Sequence, residues 1–315
     1  MSSTPPDPIN DMTKRKAVVA ALVVLVAAIA ALLGVNTAGE DPGTQPTPTP
    51  SVVTPSVTPT VTPSATPSPT PTVTPSPTPE PLRPSWLTTG APALTFSDEF
   101  NDTKVDTAKW ETGWYGTGIT DGVNSNNLNC YDSSQVSESA GYLNLTVAKR
   151  TASCNKGSRD YVSGLVSTRK SFSQQYGQFE ARVCLSDADK NGQVDGFPAW
   201  WTNGPSSVPW PEHGEIDAVE GIGGKTKASL HYNATANASP YGSGQYSAAA
   251  LTGCHNFGFV WDATTVTFYY DGAKLYSHAF RGPYPQFLIL NYALRSTEQI
   301  QVGSSTKVDW VRVWK

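Results

Sequence analysis

In the segment Trp210-Pro211-Glu212-His213-Gly214-Glu215-Ile216-Asp217-Ala218-Val219-Glu220, acids and apolar residues alternate as they do along a strand. Glu215 and Asp217 must then share a face, while strict alternation sends Glu220 to the other. A one-residue bulge near Ala218-Val219 would bring it back, so that three carboxylates stand on one side. The outer pair is then spaced like strand positions i and i+4, about 13 Å between Cα atoms, and side chains leaning inward by about 4 Å each leave about 5 Å between carboxyls. That separation suits two carboxyls flanking a glycosidic bond in a retaining reaction. Like charges this close raise one another's pKa, so one acid is expected to keep its proton near neutral pH. The labour divides accordingly: one Glu ionised as nucleophile, one protonated as general acid, and the middle Asp positioning the nucleophile through a hydrogen bond. Two other readings fit the same spacing. One is a half-exposed strand with an acidic solvent face; the other is a calcium site, because hard cations also collect carboxylates.

Residues 86 to 315 supply the elements that must position this row, and their pattern is that of strands. Alternation runs through Tyr142-Leu143-Asn144-Leu145-Thr146-Val147, Gln178-Phe179-Glu180-Ala181-Arg182-Val183, Thr265-Val266-Thr267-Phe268-Tyr269 and Val308-Asp309-Trp310-Val311-Arg312-Val313. Tyr270-Asp271-Gly272-Ala273 fits a hairpin, since Asp-Gly tolerates the positive φ of a type I′ turn. Nine Trp, 13 Tyr and 26 Gly against two Met describe an aromatic, turn-rich chain and argue against a helical bundle. Many short strands with glycine turns predict an all-β sandwich or barrel. Lys and Arg total 22 against 26 acids, with one basic cluster at Lys14-Arg15-Lys16, so the electrostatic footprint of a nucleic-acid binder is missing.

The chain is not uniform along its length. Residues 1–16 read as a cytoplasmic tail and 17–38 as a signal anchor or signal peptide, because Ala17 to Val35 is an uninterrupted apolar stretch behind the basic cluster. The positive cluster keeps the N-terminus inside and sends the rest across the membrane. Residues 39–85 form a Pro/Thr/Ser-rich linker: 15 of the 26 prolines fall between Pro42 and Pro84, and such units cannot bury enough apolar surface to fold. In polyproline II geometry, at about 3.1 Å per residue, this spacer would hold the folded domain on the order of 100 Å from a membrane. Cys130, Cys154, Cys184 and Cys254 all lie in the exported domain, an even number in an oxidising compartment. Of the three possible pairings we favour Cys130–Cys154 with Cys184–Cys254, because the first closes a local loop. No two cysteines have the close spacing of a zinc site.

With these blocks in place, the chain resembles glycoside hydrolase family 16 over most of residues 93 to 315, and its laminarinase-like, endo-β-1,3-glucanase branch in particular. The bulged signature Glu-x-Asp-x-x-Glu is Glu215-Ile216-Asp217-Ala218-Val219-Glu220, preceded by Trp210-Pro211 and Gly214. Flanking blocks fall in the family's order, among them Phe96-Ser97-Asp98-Glu99-Phe100, Tyr176-Gly177-Gln178-Phe179-Glu180-Ala181-Arg182, Pro198-Ala199-Trp200-Trp201, Leu230-His231-Tyr232 and Leu288-Ile289-Leu290-Asn291. The resemblance implies a concanavalin A-like β-jelly-roll of two curved antiparallel sheets, preceded by an N-terminal apolar helix and a disordered linker. It implies Glu215 as nucleophile, Asp217 as its assistant and Glu220 as acid/base. It implies a cleft lined by Asn127, Arg182, Trp201, Trp210 and His231; sugar faces stack on tryptophan while hydroxyls need polar partners, and on that physical ground Trp114 and Tyr115, in a glycine-rich stretch, are expected to add a distal subsite. It also implies a structural Ca2+ on the convex face near Glu99, Gly141 and Asp309, and no cofactor for catalysis. His213, His255 and His278 are read as structural.

The chain departs from the family's pattern in three places. Ala218-Val219 replaces a frequent Ile-Met, Tyr292-Ala293-Leu294 replaces the usual Gly-Gly after Asn291, and Asn127-Leu128-Asn129 stands where many members have Glu-Leu-Gln. No basic cluster lies near the signature, so a neutral glucan is expected in preference to an anionic polysaccharide. The function expected from residues and resemblance together is a retaining endo-glycosidase cutting internal β-linkages of an extracellular polysaccharide, with β-1,3-glucan first. The alternatives are a transglycosylase on the same scaffold and a non-catalytic, lectin-like surface protein. The expected partners are the polysaccharide and, through residues 17–35 where uncleaved, a membrane. The protein is expected to be a monomer, secreted or membrane-anchored with its catalytic domain outside.

Overall fold

The computed structural model of the protein describes residues 82–231, the backbone of 241–245, and 252–315. The expected tail, the apolar segment and nearly all of the linker lie outside the described residues, and among those described no helix is long and apolar enough to cross a membrane. The strands in chain order are β1 (Leu94–Asp98), β2 (Ile119–Thr120), β3 (Asn129–Asp132), β4 (Val136–Ser139), β5 (Tyr142–Cys154), β6 (Gly157–Ser163), β7 (Leu165–Ser167), β8 (Gly177–Leu185), β9 (Phe197–Asn203), β10 (Glu215–Ile222), β11 (Lys225–His231), β12 (Tyr241–Gln245), β13 (Gly253–Trp261), β14 (Thr265–Tyr270), β15 (Ala273–Ala279), β16 (Phe287–Ala293) and β17 (Ser305–Trp314). The four alternating segments picked out in the sequence fall in β5, β8, β14 and β17. Asp271 and Gly272, with φ of 45° and 78°, make the expected hairpin turn between β14 and β15.

Two sheets form the domain. The larger runs β15-β14-β13-β8-β17-β5-β6-β3-β2, with β1 against β17 and β4 against β5; the smaller runs β12-β11-β10-β9-β16-β7. The pairing is antiparallel except between β3 and β6, which run parallel. Period-2 alternation explains the layers. In β8, Phe179, Ala181 and Val183 enter the core between the sheets, as do Phe257 and Phe259 of β13 and Val311 and Val313 of β17. From the smaller sheet they meet Trp200, Ile216, Ala218, Val219, Leu230, Leu288 and Leu290. The opposite face of the smaller sheet carries a second apolar group, Phe197, Ala199, Trp201, Phe287, Ile289 and Ala293. A sheet buried on one face and apolar on the other has a surface made for a ligand rather than for water.

Both expected disulfides are present. Cys130–Cys154 ties β3 to the end of β5, and Cys184–Cys254 joins residues directly opposite each other on β8 and β13. The chain is already bonded to the domain ahead of Trp86. The Ser85 amide and hydroxyl donate to Glu180, the Leu82 carbonyl accepts from the Trp314 indole, and Trp86 stacks on Tyr269 at 4.4 Å. Glu180 leaves β8 on the side away from the core, so this strap crosses the outer face of the larger sheet.

Candidate active site

The acid row is set by the bulge that its sequence requires. Against β9 the register of β10 slips between Asp217 and Val219, and against β11 between Asp217 and Glu220. Ala218 and Val219 therefore both turn into the core, two residues in succession, and Glu220 returns to the face of Glu215 and Asp217. Gly214 leads into the strand with φ of 78°, and a Cβ there would come within 3.0 Å of Gln286 and Phe280, so glycine is the residue that can deliver Glu215 at this angle.

The three carboxylates open on a cavity of about 540 Å³ along the apolar face of the smaller sheet, lined by the cleft-facing residues of β9, β10, β11 and β16 and by the segment 114–131. Each acid has named partners. The Trp210 indole N–H donates to Glu215 Oε2 at 3.1 Å, and the Ser229 hydroxyl donates to Glu220 Oε2 at 2.7 Å. His231, opposite Glu215 in register, brings Nε2 to 3.6 Å from Glu215 Oε1 and 3.4 Å from Asp217 Oδ2. Burial first, then the Asp217 charge and to a smaller extent the Glu220 charge, pushes the Glu215 carboxyl well above its usual range; His231 and the Trp210 N–H oppose this. Asp217, fully enclosed, is pushed well above its range by burial first and by Glu220 second, with Lys227 opposing. Burial and mutual repulsion thus both favour the protonated form of Glu215 and Asp217 relative to isolated acids. This is the environment expected of a catalytic row and not of an acidic solvent face.

Most expected cleft residues are in place. Trp210 is 58% exposed and stands over His231 at 5.6 Å, a platform beside Glu215. Trp201 lies in the cleft floor, nearly enclosed, its N–H held by Asn291 Oδ1 at 2.6 Å and its ring stacked under Trp114 at 5.8 Å. Tyr115 meets Trp114 edge-on, and Asn127 lines the wall. Arg182 does not line the cleft. Phe179, Ala181 and Val183 take the core side of β8, so Arg182 points outward from the larger sheet, where it pairs with Asp309 at 3.3 Å and donates to Asn256 at 3.1 Å.

The same contacts bear on the expected calcium. The Asp309 carboxylate holds Arg182, and Glu99 binds Arg312 through two bonds of 2.9 and 2.7 Å. These pairs engage the carboxylates of Glu99 and Asp309 and not the backbone oxygens of Glu99 and Gly141, through which the ion is expected to be held. Among the described residues the one cluster of three side-chain ligands is Glu215, Asp217 and His231, in the cleft.

Sequence reasoning missed Ser229, Lys227, Asn203, Tyr131 and Arg295, all but Ser229 in the lining. Ser229 and Lys227 were legible as the residues alternating with His231 on one strand. His213, read as structural, is anchored by Nδ1 to the Val208 carbonyl at 2.8 Å and also lines the cleft.

Comparison with known proteins agrees with this geometry. The profile of "Glycosyl hydrolases family 16" matches residues 124–311. The chain is 27% identical over 261 residues to a glucan endo-1,3-beta-glucosidase A1 of Niallia circulans, covering 70% of this chain and 38% of that one. It is 27% identical over 249 residues to the endo-1,3-1,4-beta-glycanase EglC of Rhizobium meliloti (strain 1021), covering 70% and 51%. It thus spans about half or less of the length of these relatives. Among solved structures, the endo-1,3-beta-glucanase (laminarinase) catalytic domain from Thermotoga petrophila RKU-1 superposes with a TM-score of 0.60 at 23% identity, covering 70% of this chain and 97% of that one, and shares the two-sheet jelly-roll. A row of three carboxylates raised by a bulge onto a ligand-shaped sheet face, matched by the family profile over more than half of its length, makes this chain a member of glycosyl hydrolase family 16.

Proposed function

We propose that the protein is a retaining endo-β-glucanase whose preferred backbone is β-1,3-linked glucan. The observation that carries the reading is the placement of Glu215 and Glu220 on one face of one strand, with the enclosed Asp217 between them. The names of the relatives, an endo-1,3-glucosidase and an endo-1,3-1,4-glycanase, support the substrate class. A cleft bounded by Trp114 and Trp210 suits a chain stacked along its sugar faces.

In this mechanism Asp217 and Glu220 each start protonated, while Glu215 carries the negative charge. Trp210 and His231 fix the Glu215 carboxylate for attack on the anomeric carbon. Glu220, oriented by Ser229, protonates the leaving oxygen. It then takes a proton from water as the glycosyl-enzyme ester is hydrolysed, and the anomeric configuration is restored by the second inversion. The step needs carboxylates alone. The two disulfides support a site of action outside the cell; the apolar stretch at 17–35 would carry the domain there, as a cleaved signal or as an anchor.

The test is reducing-end release by the full chain on laminarin, mixed-linkage glucan, xyloglucan and agarose, with product sizes and the anomer formed first read by NMR. Release of mid-sized fragments from laminarin as the β-anomer is expected, and Glu215→Gln and Glu220→Gln each lower the rate by at least about a hundredfold. Full activity in either variant, or an α-anomer formed first, would sink the mechanism. Products longer than the starting oligosaccharide would identify transfer to a sugar in place of water.

A further inference from the structure

The end of the cleft beyond Glu220 has donors with nothing to donate to. Arg295 follows β16 and lays its guanidinium over the Phe197 ring at 3.9 Å; its Nε is buried without a hydrogen-bond partner. Among the described residues it makes no ion pair. The Tyr131 hydroxyl is fully buried and also unpartnered. Asn129 stands beside it, its Nδ2 donating to the Ser163 hydroxyl at 2.7 Å and its Oδ1 accepting from the Leu294 N–H at 2.9 Å. Asn127, 2% exposed, accepts at Oδ1 from the Asn124 N–H at 2.7 Å, and its Nδ2 is unpartnered. All three side chains line the same cavity. Burial holds the Tyr131 phenol far above its usual pKa and nearby Arg295 pulls it back only in part, so the hydroxyl remains a donor.

Buried donors are nearly always paired, so three unpaired ones lining one cavity beside a cation mark a place for acceptors, and for negative charge. We infer that Arg295, Tyr131 and Asn127 form a subsite for an acidic substituent on the polymer, a carboxylate carried by a sugar of the glucan backbone. The inference rests on the endo-glucanase reading and narrows its substrate. The sequence departures fall at this end: Asn127 stands where the family pattern has Glu, and Tyr292-Ala293-Leu294, which leads into Arg295, replaces Gly-Gly. An acid is absent and a cation is present in one corner. The preference for a neutral glucan is drawn from the residues near the signature, and Arg295 arrives from 75 positions beyond Glu220. β16 lies two strands from β10, about 10 Å across the sheet. The acidic group therefore belongs to a sugar other than the one being attacked.

The experiment compares kcat/KM of the full chain on laminarin, on laminarin partly oxidised at its primary hydroxyls to carboxylates, and on laminarin sulfate, for wild type, Arg295→Gln and Arg295→Lys. Wild type should prefer the carboxylated polymer by about tenfold or more, as a charge-assisted bond implies. The ratio of carboxylated to neutral rates should fall toward one in Arg295→Gln and be partly kept in Arg295→Lys. A preference for the sulfate instead would support the anion subsite with sulfate as its source. Equal rates on all three polymers, or a preference that survives Arg295→Gln, overturn the inference while leaving the glucanase reading intact. No cleavage of any of the three overturns both.

Discussion

Asp217 meets two conflicting demands. It is enclosed, its Oδ2 accepts no hydrogen bond, and it sits between two other carboxyls, so its ionised form is disfavoured and its pKa raised. A carboxyl raised in this way binds more protons in the folded than in the unfolded state. Its stabilising contribution is fully present below the ordinary carboxylate range and is lost as pH climbs toward the native value. Asp217→Asn removes the ionisable group with little change of shape. Its melting temperature should exceed that of wild type at pH 8, by about 2–4 °C for each kcal/mol relieved in a domain of this size. The gap should close by about pH 4, and hydrolysis should fall throughout. A variant less stable than wild type at pH 8 would show that the charge is better accommodated than its surroundings indicate.

At the scale of the element, the bulge in β10 sets the face on which Glu220 stands. Deleting Ala218 removes the extra residue and leaves Glu215, Asp217 and Glu220 at alternate positions of a regular strand, all on the cleft face. The deletion should therefore keep hydrolysis within about tenfold of wild type; a loss of about a hundredfold or more, the share of a general acid, would mean that the bulge sets the separation of the acids and not only their face. This element was legible because its rule is local: the spacing of three acids and the alternation of a strand suffice. Arg182 shows where local rules stop. Its parity, opposite to Phe179, Ala181 and Val183, does say that it leaves the core. Whether β8 belongs to the sheet with the cleft depends on pairing with β13 and β17, which no alternation encodes. Arg295 and Tyr131 escaped notice for the same reason, since one follows β16, the other lies on β3, and only the closed sandwich makes them neighbours. The arginines that reach the Glu99 and Asp309 carboxylates leave no trace in spacing either.

For the whole molecule, the two disulfides restrain different lengths of chain. Cys184–Cys254 spans 70 residues and Cys130–Cys154 spans 24. Chain-entropy reasoning makes the longer one worth about 1 kcal/mol more. Replacing Cys184 and Cys254 by Ala should lower the urea midpoint further than replacing Cys130 and Cys154; the reverse order would place the denatured chain's residual structure, rather than loop length, in control.

The strap from Leu82 to Trp86 crosses the outer face of the larger sheet, while the acids open on the outer face of the smaller one. The approach to the cleft is therefore clear of the residues by which the chain enters the domain. A groove open along its length on the face opposite the strap can receive a chain laid in from the side, without an end having to be threaded.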